Sequence, residues 1–224
     1  MEKNFRVIVD ARALTIKKAG VARYIENLLF NIDEKNFDII LVSNNRIYTD
    51  LPYKKEEFLK FRFVPGSFFI AFILPFFLDY KKCIFWGTTH VIPLFKIYSI
   101  LTIHDLVSIK FPEKLNLVNR VMNNLFFRRS IKSANKLLTV SNFTKNEIIT
   151  YIKYDKKIEV VRNSVSEKLK AEKVSGNNLD YCFIFSLCTI EPRKNLNSLI
   201  DSFNEIKTKG IYTGKLVLGG VRGW

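Results

Sequence analysis

The stretch TIEPRKNLNSLI (189–200) sets two adjacent cations, Arg193 and Lys194, between the apolar run YCFIFSLC and the start of a helical pattern. Leu196, Leu199, Ile200, Phe203 and Ile206 recur at helical spacing, which puts Asn195 at the N-cap. Free N–H groups and the helix dipole favour an anion there, and full positive charges beside them make phosphate the natural ligand. A capped turn with solvated cations fits the same pattern. Three further polar groups close strand-like runs. His104 and Asp105 end YSILTIHD, where a neutral imidazole can donate a directed hydrogen bond to a sugar hydroxyl or phosphate and Asp105 can orient it. A structurally bonded histidine is the plainer alternative. Asp10 and Arg12 follow FRVIV, ahead of a loop whose only glycine, Gly20, allows close backbone approach to a ligand. Asn163 ends the run IEVVRN.

Ligands of open α/β sheets sit beyond the carboxyl ends of the strands, so the elements that end at these residues decide the geometry. Apolar, β-branched runs alternate with helical patterns along the chain. The spacing predicts strands opening at Phe5 and over 37–45, 61–66, 83–89, 98–105, 136–141 and 158–165. Helices are expected over 21–32, over 115–134, and from a cap at Ser141, Asn142 or Thr144 to about Tyr151. Continuous strands between helices predict a parallel sheet covered on both faces. Residues 166–180 are polar, with Ser-Gly-Asn-Asn, and read as a linker. Beyond it, a strand over 181–187, a helix over 195–208 and a strand over 215–220 form one β-α-β unit. The expected organisation is an α/β first domain over 1–165, the linker, and an incomplete second domain over 181–224.

A formal charge of +15 favours nucleic acid, anionic membrane or phosphorylated small molecules without choosing among them. Nucleic acid is not expected, because the aromatic-basic interleaving of RNA-binding sheets is missing. GxGxxG, P-loop, HExxH and GxSxG patterns are also missing. Cys83, Cys182 and Cys188 lack paired spacing and read as small buried hydrophobes of a reducing cytosol. The opening MEKNFRVIVD does not read as a signal peptide, because its apolar run is short and closes on Asp10. The run FFIAFILPFFL (68–78), interrupted by Pro75, is shorter than the roughly 18 residues that span a bilayer. It reads as a buried helix, with an interfacial patch as the alternative. Arg128, Lys132 and Lys136, with Arg129 alongside, form either a solvated face or one turned to an anionic membrane.

Taken in order, these stretches resemble glycosyltransferase family 4, the group 1 retaining enzymes of the GT-B fold. DARAL…AGVARYIENLL is similar to the opening D-x-R…G-[IV]-[GA]-R-Y-x-x-x-L, and LTIHDL with its following Phe-Pro to [VT]-x-H-D-L…P. SANKLLTVSNFTKNEI resembles A-x-x-[IV]-x-T-V-S-x-[FY]-[ST]-x-x-[DE]-[IL], and IEVVRNSV resembles I-x-V-[IV]-x-N-G-V. SLCTIEPRKNLNSLIDSF is similar to the specific G-T-x-E-P-R-K-N-[LI], and LVLGGVRGW to L-V-[IL]-x-G-x-x-G-W. The nearest subgroup by resemblance is the mannosyltransferase-like enzymes of bacterial surface polysaccharide assembly.

The resemblance implies two Rossmann-like domains and transfer of a sugar from a nucleotide-sugar, a co-substrate, with no cofactor and no metal. Arg193, Lys194 and Asn195 would hold the donor diphosphate, with Lys194 stabilising the leaving phosphate. His104 would contact the donor sugar; Asp10, Arg12, Gly20, Asp105 and Asn163 would line the acceptor and donor loops. The acceptor would be a glycan or lipid-linked glycan in lipopolysaccharide or O-antigen synthesis. The setting would be cytoplasmic, with peripheral contact at the anionic inner membrane face. Three departures stand out. Asn163-Ser164-Val165 replaces N-G-V, Cys188-Thr189 replaces G-T, and the E-x7-E element of the second domain is missing. The spacing recurs at Glu26/Glu34 and Glu159/Glu167, both ahead of the second domain. Little transferase activity is therefore expected of these 224 residues alone. The alternative reading is a non-catalytic remnant of the fold that binds phosphate or anionic membrane.

Overall fold

The structure, a computed structural model, describes residues 5–16, 20–32, 36–79, 83–110, 117–164 and 182–222, with backbone alone at 117–123 and 193. The expected linker over 166–180 lies outside the described residues. Two compact units divide the chain, Met1–Glu167 and Lys168–Trp224.

The first unit is built on seven parallel strands. They are β1 (Phe5–Asp10), β2 (Phe37–Ser43), β3 (Lys54–Glu57), β4 (Cys83–Gly87), β5 (Tyr98–Ile103), β6 (Lys136–Thr139) and β7 (Ile158–Val160). Their spatial order is β3-β2-β1-β4-β5-β6-β7. Val9 of β1 lies opposite Leu41 on one side and Trp86 on the other. The strand order therefore reverses between β1 and β4, which opens a crevice at their carboxyl ends. This is an α/β Rossmann-like fold, consistent with a GT-B glycosyltransferase domain.

Helices α1 (Gly20–Phe30), α2 (Gly66–Phe68), α3 (Val107–Lys110), α4 (Leu117–Ser133) and α5 (Asn142–Ile152) join the strands. Side chains alternate across the sheet, so Ile8 joins one core and Val9 the other. On the first face lie Phe85, Leu101 and Leu137, covered by Phe126, Phe127 and Ile131 of α4 and by Ile148 and Ile152 of α5. Ala22, Tyr24, Ile25 and Leu29 of α1 pack with Val9, Leu41 and Trp86 in the second core. Burying each of these leucines and isoleucines contributes about 1.5–3 kcal/mol, and Leu29→Ala would be the sharpest single break in α1.

Two expectations need correction. FRFVPG forms no strand: Leu59–Phe61 is a 3-10 turn, and Phe61 packs on Phe69 and Phe77 instead. The third strand is the charged KKEE of β3, which pairs only with β2 at the sheet edge. Alternation of apolar residues cannot reveal such a strand, whose charges protect an open edge. Cys182 is exposed and Cys188 half-buried, so only Cys83 behaves as a buried hydrophobe. The apolar run 68–78 is helical but irregular: α2 passes into a π turn, Phe69–Ile73, and then a 3-10 turn, Leu74–Phe77. Helix α5 starts as its sequence predicts, with Ser141 Oγ accepting from Thr144 N at 3.1 Å.

In the second unit, β8 (Phe183–Leu187) and β9 (Lys215–Gly219) pair in parallel, with α6 (Leu196–Thr208) between them in the chain. Phe183, Phe185 and Leu187 remain exposed on β8. No helix among the described residues is long and apolar enough to cross a membrane.

Candidate functional site

Asp10 ends β1 with its side chain fully buried, so its charge needs partners. Arg12 supplies a bidentate one: Nε donates to Asp10 Oδ1 and Nη2 to Oδ2, each at 2.8 Å. The Arg12 backbone N–H adds a 3.2 Å bond to Oδ1. The loop after β4 completes the shell. Thr89 Oγ1 donates to Asp10 Oδ2 at 2.6 Å and accepts from Arg12 Nη2. Thr88 Oγ1 donates to the Asp10 carbonyl at 2.5 Å. This loop can fold so tightly only because Gly87 precedes it; a Cβ there would lie 2.7 Å from the Val91 carbonyl oxygen.

The same loop delivers His90, held at φ +71°. Its ring stacks on Phe127 of α4 at 4.6 Å, and Ile92 N donates to Ser130 Oγ of the same helix at 3.1 Å. His104 follows β5 and shares a 3.1 Å hydrogen bond between Nε2 and the Thr88 carbonyl. Tyr24 of α1 meets the His104 ring edge-on at 5.1 Å, and the two imidazole centroids are 6.1 Å apart. Thr144 Oγ1 of α5 donates to the His104 carbonyl at 3.2 Å. Two strand ends, one loop and three helices thus fix one pair of rings.

Burial holds both imidazoles below the ordinary histidine value, so at neutral pH each is uncharged, with one ring nitrogen donating and one accepting. The Thr88 carbonyl and the nearby Asp105 charge partly oppose this for His104. Burial also pushes the Tyr24 phenol up to about 12, with Thr102 offsetting it in part. Although the Tyr24 hydroxyl feels Thr102, it makes no hydrogen bond among the described residues; Thr102 Oγ1 accepts from Trp86 Nε1 at 2.9 Å. The buried His90 Nε2 likewise has no partner among the described residues. Orphaned polar atoms of this kind suit a polar ligand that would satisfy them.

The remaining expected residues fall around this group. Gly20 is the exposed first residue of α1, with open space where a Cβ would stand. Asp105 does not hydrogen-bond the His104 ring; it is exposed, and its Oδ1 accepts from Val107 N at 3.0 Å, capping α3. His104 is oriented by Thr88 and Tyr24 instead. Asn163 is exposed beyond β7 and is not drawn into the group, although Asn27 of α1 donates to the next carbonyl, of Ser164, at 3.1 Å. Thr88, Thr89, His90 and Tyr24 were not anticipated as site residues. The signal for the first three was TTH directly after a glycine-terminated strand, the same strand-end logic that found His104.

In the second unit, Pro192–Lys194 forms a 3-10 turn and Asn195 takes a left-handed conformation, φ +52°. Asn195 does occupy the N-cap position of α6, but its side chain makes no bond to the helix backbone; Oδ1 accepts from Ser198 Oγ at 2.9 Å. The first turn of α6 carries no acid and no side-chain cap, so no side chain among the described residues caps its N–H groups. Lys194 is exposed there, while the Arg193 side chain lies outside the described residues. A parallel bridge joins Ile190 to Arg222, and a groove of about 500 Å³ is lined by Glu191, Pro192, Asn195, Asn197 and Arg222, among others. Arg222 therefore adds a cation that the sequence did not flag.

Comparison with known proteins gives the family. The family model for Glycosyltransferase Family 4 matches residues 18–169, more than half of the 224. The chain is also similar to the O-antigen chain mannosyltransferase B of Escherichia coli, with 26% identity over 157 residues. That match covers 65% of this chain and 41% of the relative, so the chain spans less than half of that protein. The matched family region takes in Tyr24, His90 and His104, and the strand order around them is that of a Rossmann-like domain. The chain belongs to Glycosyltransferase Family 4.

Proposed function

We propose that this chain acts in retaining transfer of a sugar from a nucleotide-sugar to a glycan or lipid-linked acceptor in bacterial surface polysaccharide synthesis. The observation that carries the reading is the pair of neutral imidazoles beside the β1/β4 crevice, one with an orphaned ring nitrogen. Such rings, with the Tyr24 hydroxyl, suit the alternating donors and acceptors of sugar hydroxyls. In the second unit, Lys194 and Arg222 near the N-terminus of α6 suit a diphosphate, and the resemblance adds Arg193. As the bond from the anomeric carbon to the diphosphate breaks, negative charge gathers on the leaving oxygen, and cations beside it stabilise it. The acceptor hydroxyl oxygen forms the new bond to that carbon and passes its proton to the leaving diphosphate oxygen, and the nucleoside diphosphate departs. Neither a metal nor another cofactor has a part in this reading. The name of the Escherichia coli relative supports a mannose-like donor and an O-antigen type of product. A cytoplasmic setting goes with it.

A His104→Ala change in the producing cell tests the reading. The expected outcome is loss of a surface polysaccharide whose new linkage, in the parent strain, keeps the anomeric configuration of the donor. An unchanged polysaccharide profile with the variant protein at normal abundance would contradict it.

A further inference from the structure

We propose that the Thr88 carbonyl locks His104 in its Nε2–H tautomer, so that His104 meets a ligand as a hydrogen-bond acceptor, through Nδ1, and selects a hydroxyl that donates. A carbonyl oxygen carries only lone pairs, so the 3.1 Å contact with His104 Nε2 requires the proton to sit on that nitrogen. A neutral imidazole has one proton to place, which leaves Nδ1 a bare acceptor. Among the described residues Nδ1 bonds to no other group. The ring is half-buried rather than enclosed, so this nitrogen is the polar atom it can offer to a ligand. The direction is the reverse of the one expected from the strand-end position, where His104 was to donate.

The loop holds this carbonyl from both sides. Thr88 Oγ1 donates to the Asp10 carbonyl at 2.5 Å and Thr89 Oγ1 to Asp10 Oδ2 at 2.6 Å, which pins the Thr88–Thr89 peptide to the end of β1. Beyond it, His90 stacks on Phe127 of α4 at 4.6 Å. His104 is held from its own side. Thr144 Oγ1 donates to its carbonyl at 3.2 Å, and Tyr24 packs edge-on against its ring at 5.1 Å. The adjacent carboxylate, Asp105, does not draw the proton to Nδ1, because it accepts from Val107 N at 3.0 Å instead. A ring fixed in this way presents one polarity to the crevice, and a substrate group with no proton to give is left facing a lone pair. A site built to bond a hydroxyl rejects an analogue without it more strongly than shape alone does. What meets Nδ1 rests on the proposed sugar site; the tautomer does not.

The chain has 2 histidines, so long-range proton–nitrogen NMR of the chain with isotope-labelled histidine resolves both rings at neutral pH, and His104→Gln assigns them. His104 is expected to show a protonated Nε2 and an unprotonated Nδ1. The opposite pattern, or the averaged shifts of a mixture, would overturn the proposal. Thr89→Val removes one pin and should move both nitrogens towards the averaged shifts, while Thr89→Ser, which keeps the hydroxyl, should retain the parent pattern. A folded Thr89→Val protein with the parent pattern would take the lock away from this loop. If Thr89→Val does not fold, the parent spectrum decides. The direction of the bond is read in the producing cell. His104→Asn keeps a polar group at the place of Nδ1, and His104→Gln keeps one at the place of Nε2. Surface polysaccharide should persist in part with Asn and be lost with Gln. Loss with His104→Ala but equal profiles with Asn and Gln, loss in both included, would overturn the acceptor role alone. An unchanged profile with His104→Ala would overturn the sugar site itself.

Discussion

At the scale of single residues, the Asp10–Arg12 pair and the two imidazoles set the properties of the first unit. Asp10 has no exposure and depends on Arg12 for a bidentate partner. Arg12→Ala would strand a buried carboxylate and should destabilise the protein by about 3–5 kcal/mol in urea denaturation. A loss below about 1 kcal/mol, the range of surface pairs, would mean that Thr89 and solvent suffice. The imidazoles give a pH dependence of defined sign. His90 and His104 titrate below the ordinary value of 6.5 in the folded chain. As pH falls through about 6.5 the unfolded chain takes up these protons first, so stability is lost until the lowered folded values are reached. Melting temperature should therefore drop between pH 7 and 5, and less steeply in a His90→Gln/His104→Gln variant. An identical slope in that variant would assign the acid sensitivity to other groups.

At the scale of elements, the loop after β4 is the part on which the site depends most. Gly87 lets it fold back so that Thr88, Thr89 and His90 reach β1, His104 and α4. Gly87→Ala would push a methyl into the Val91 carbonyl and the Ile92 side chain, at 2.7 and 3.0 Å. It should cost about 1–3 kcal/mol and shift the His90 and His104 ring resonances, measured by denaturation and NMR. A variant as stable as the parent, with both rings unmoved, would show that the loop has slack. The same loop marks where the sequence was legible and where it was not. Strands β1, β2, β4, β5 and β6 were readable because they are buried on both faces and continuously apolar. Strand β3 was not, because an edge strand of lysine and glutamate carries no hydrophobic period. His104 was readable as a polar residue ending an apolar strand. His90 and Tyr24 were not, because their convergence depends on a positive φ and on a helix crossing two strand ends, neither of which a local pattern encodes. Asp105 looked like an orienting partner by adjacency alone, yet capping α3 claims its carboxylate.

At the scale of the whole molecule, a charge of +15 is divided among distinct surfaces. One group of cations surrounds the exposed phenylalanines of the first unit; another stands at the open end of α6 in the second. Fold class and family were legible in the first unit because its strand-end motifs occur in order. Arg222 was not, since a single parallel bridge brings it to the α6 turn from beyond β9. That turn is where the proposed function is most exposed to test. Titration calorimetry should compare a nucleoside diphosphate with its nucleoside on the parent chain and on Lys194→Ala. A charge-assisted phosphate contact contributes about 1.5–3 kcal/mol, so diphosphate affinity should fall roughly tenfold or more. Nucleoside affinity should stay the same. Equal diphosphate binding by parent and variant would contradict the assignment of this turn to the donor.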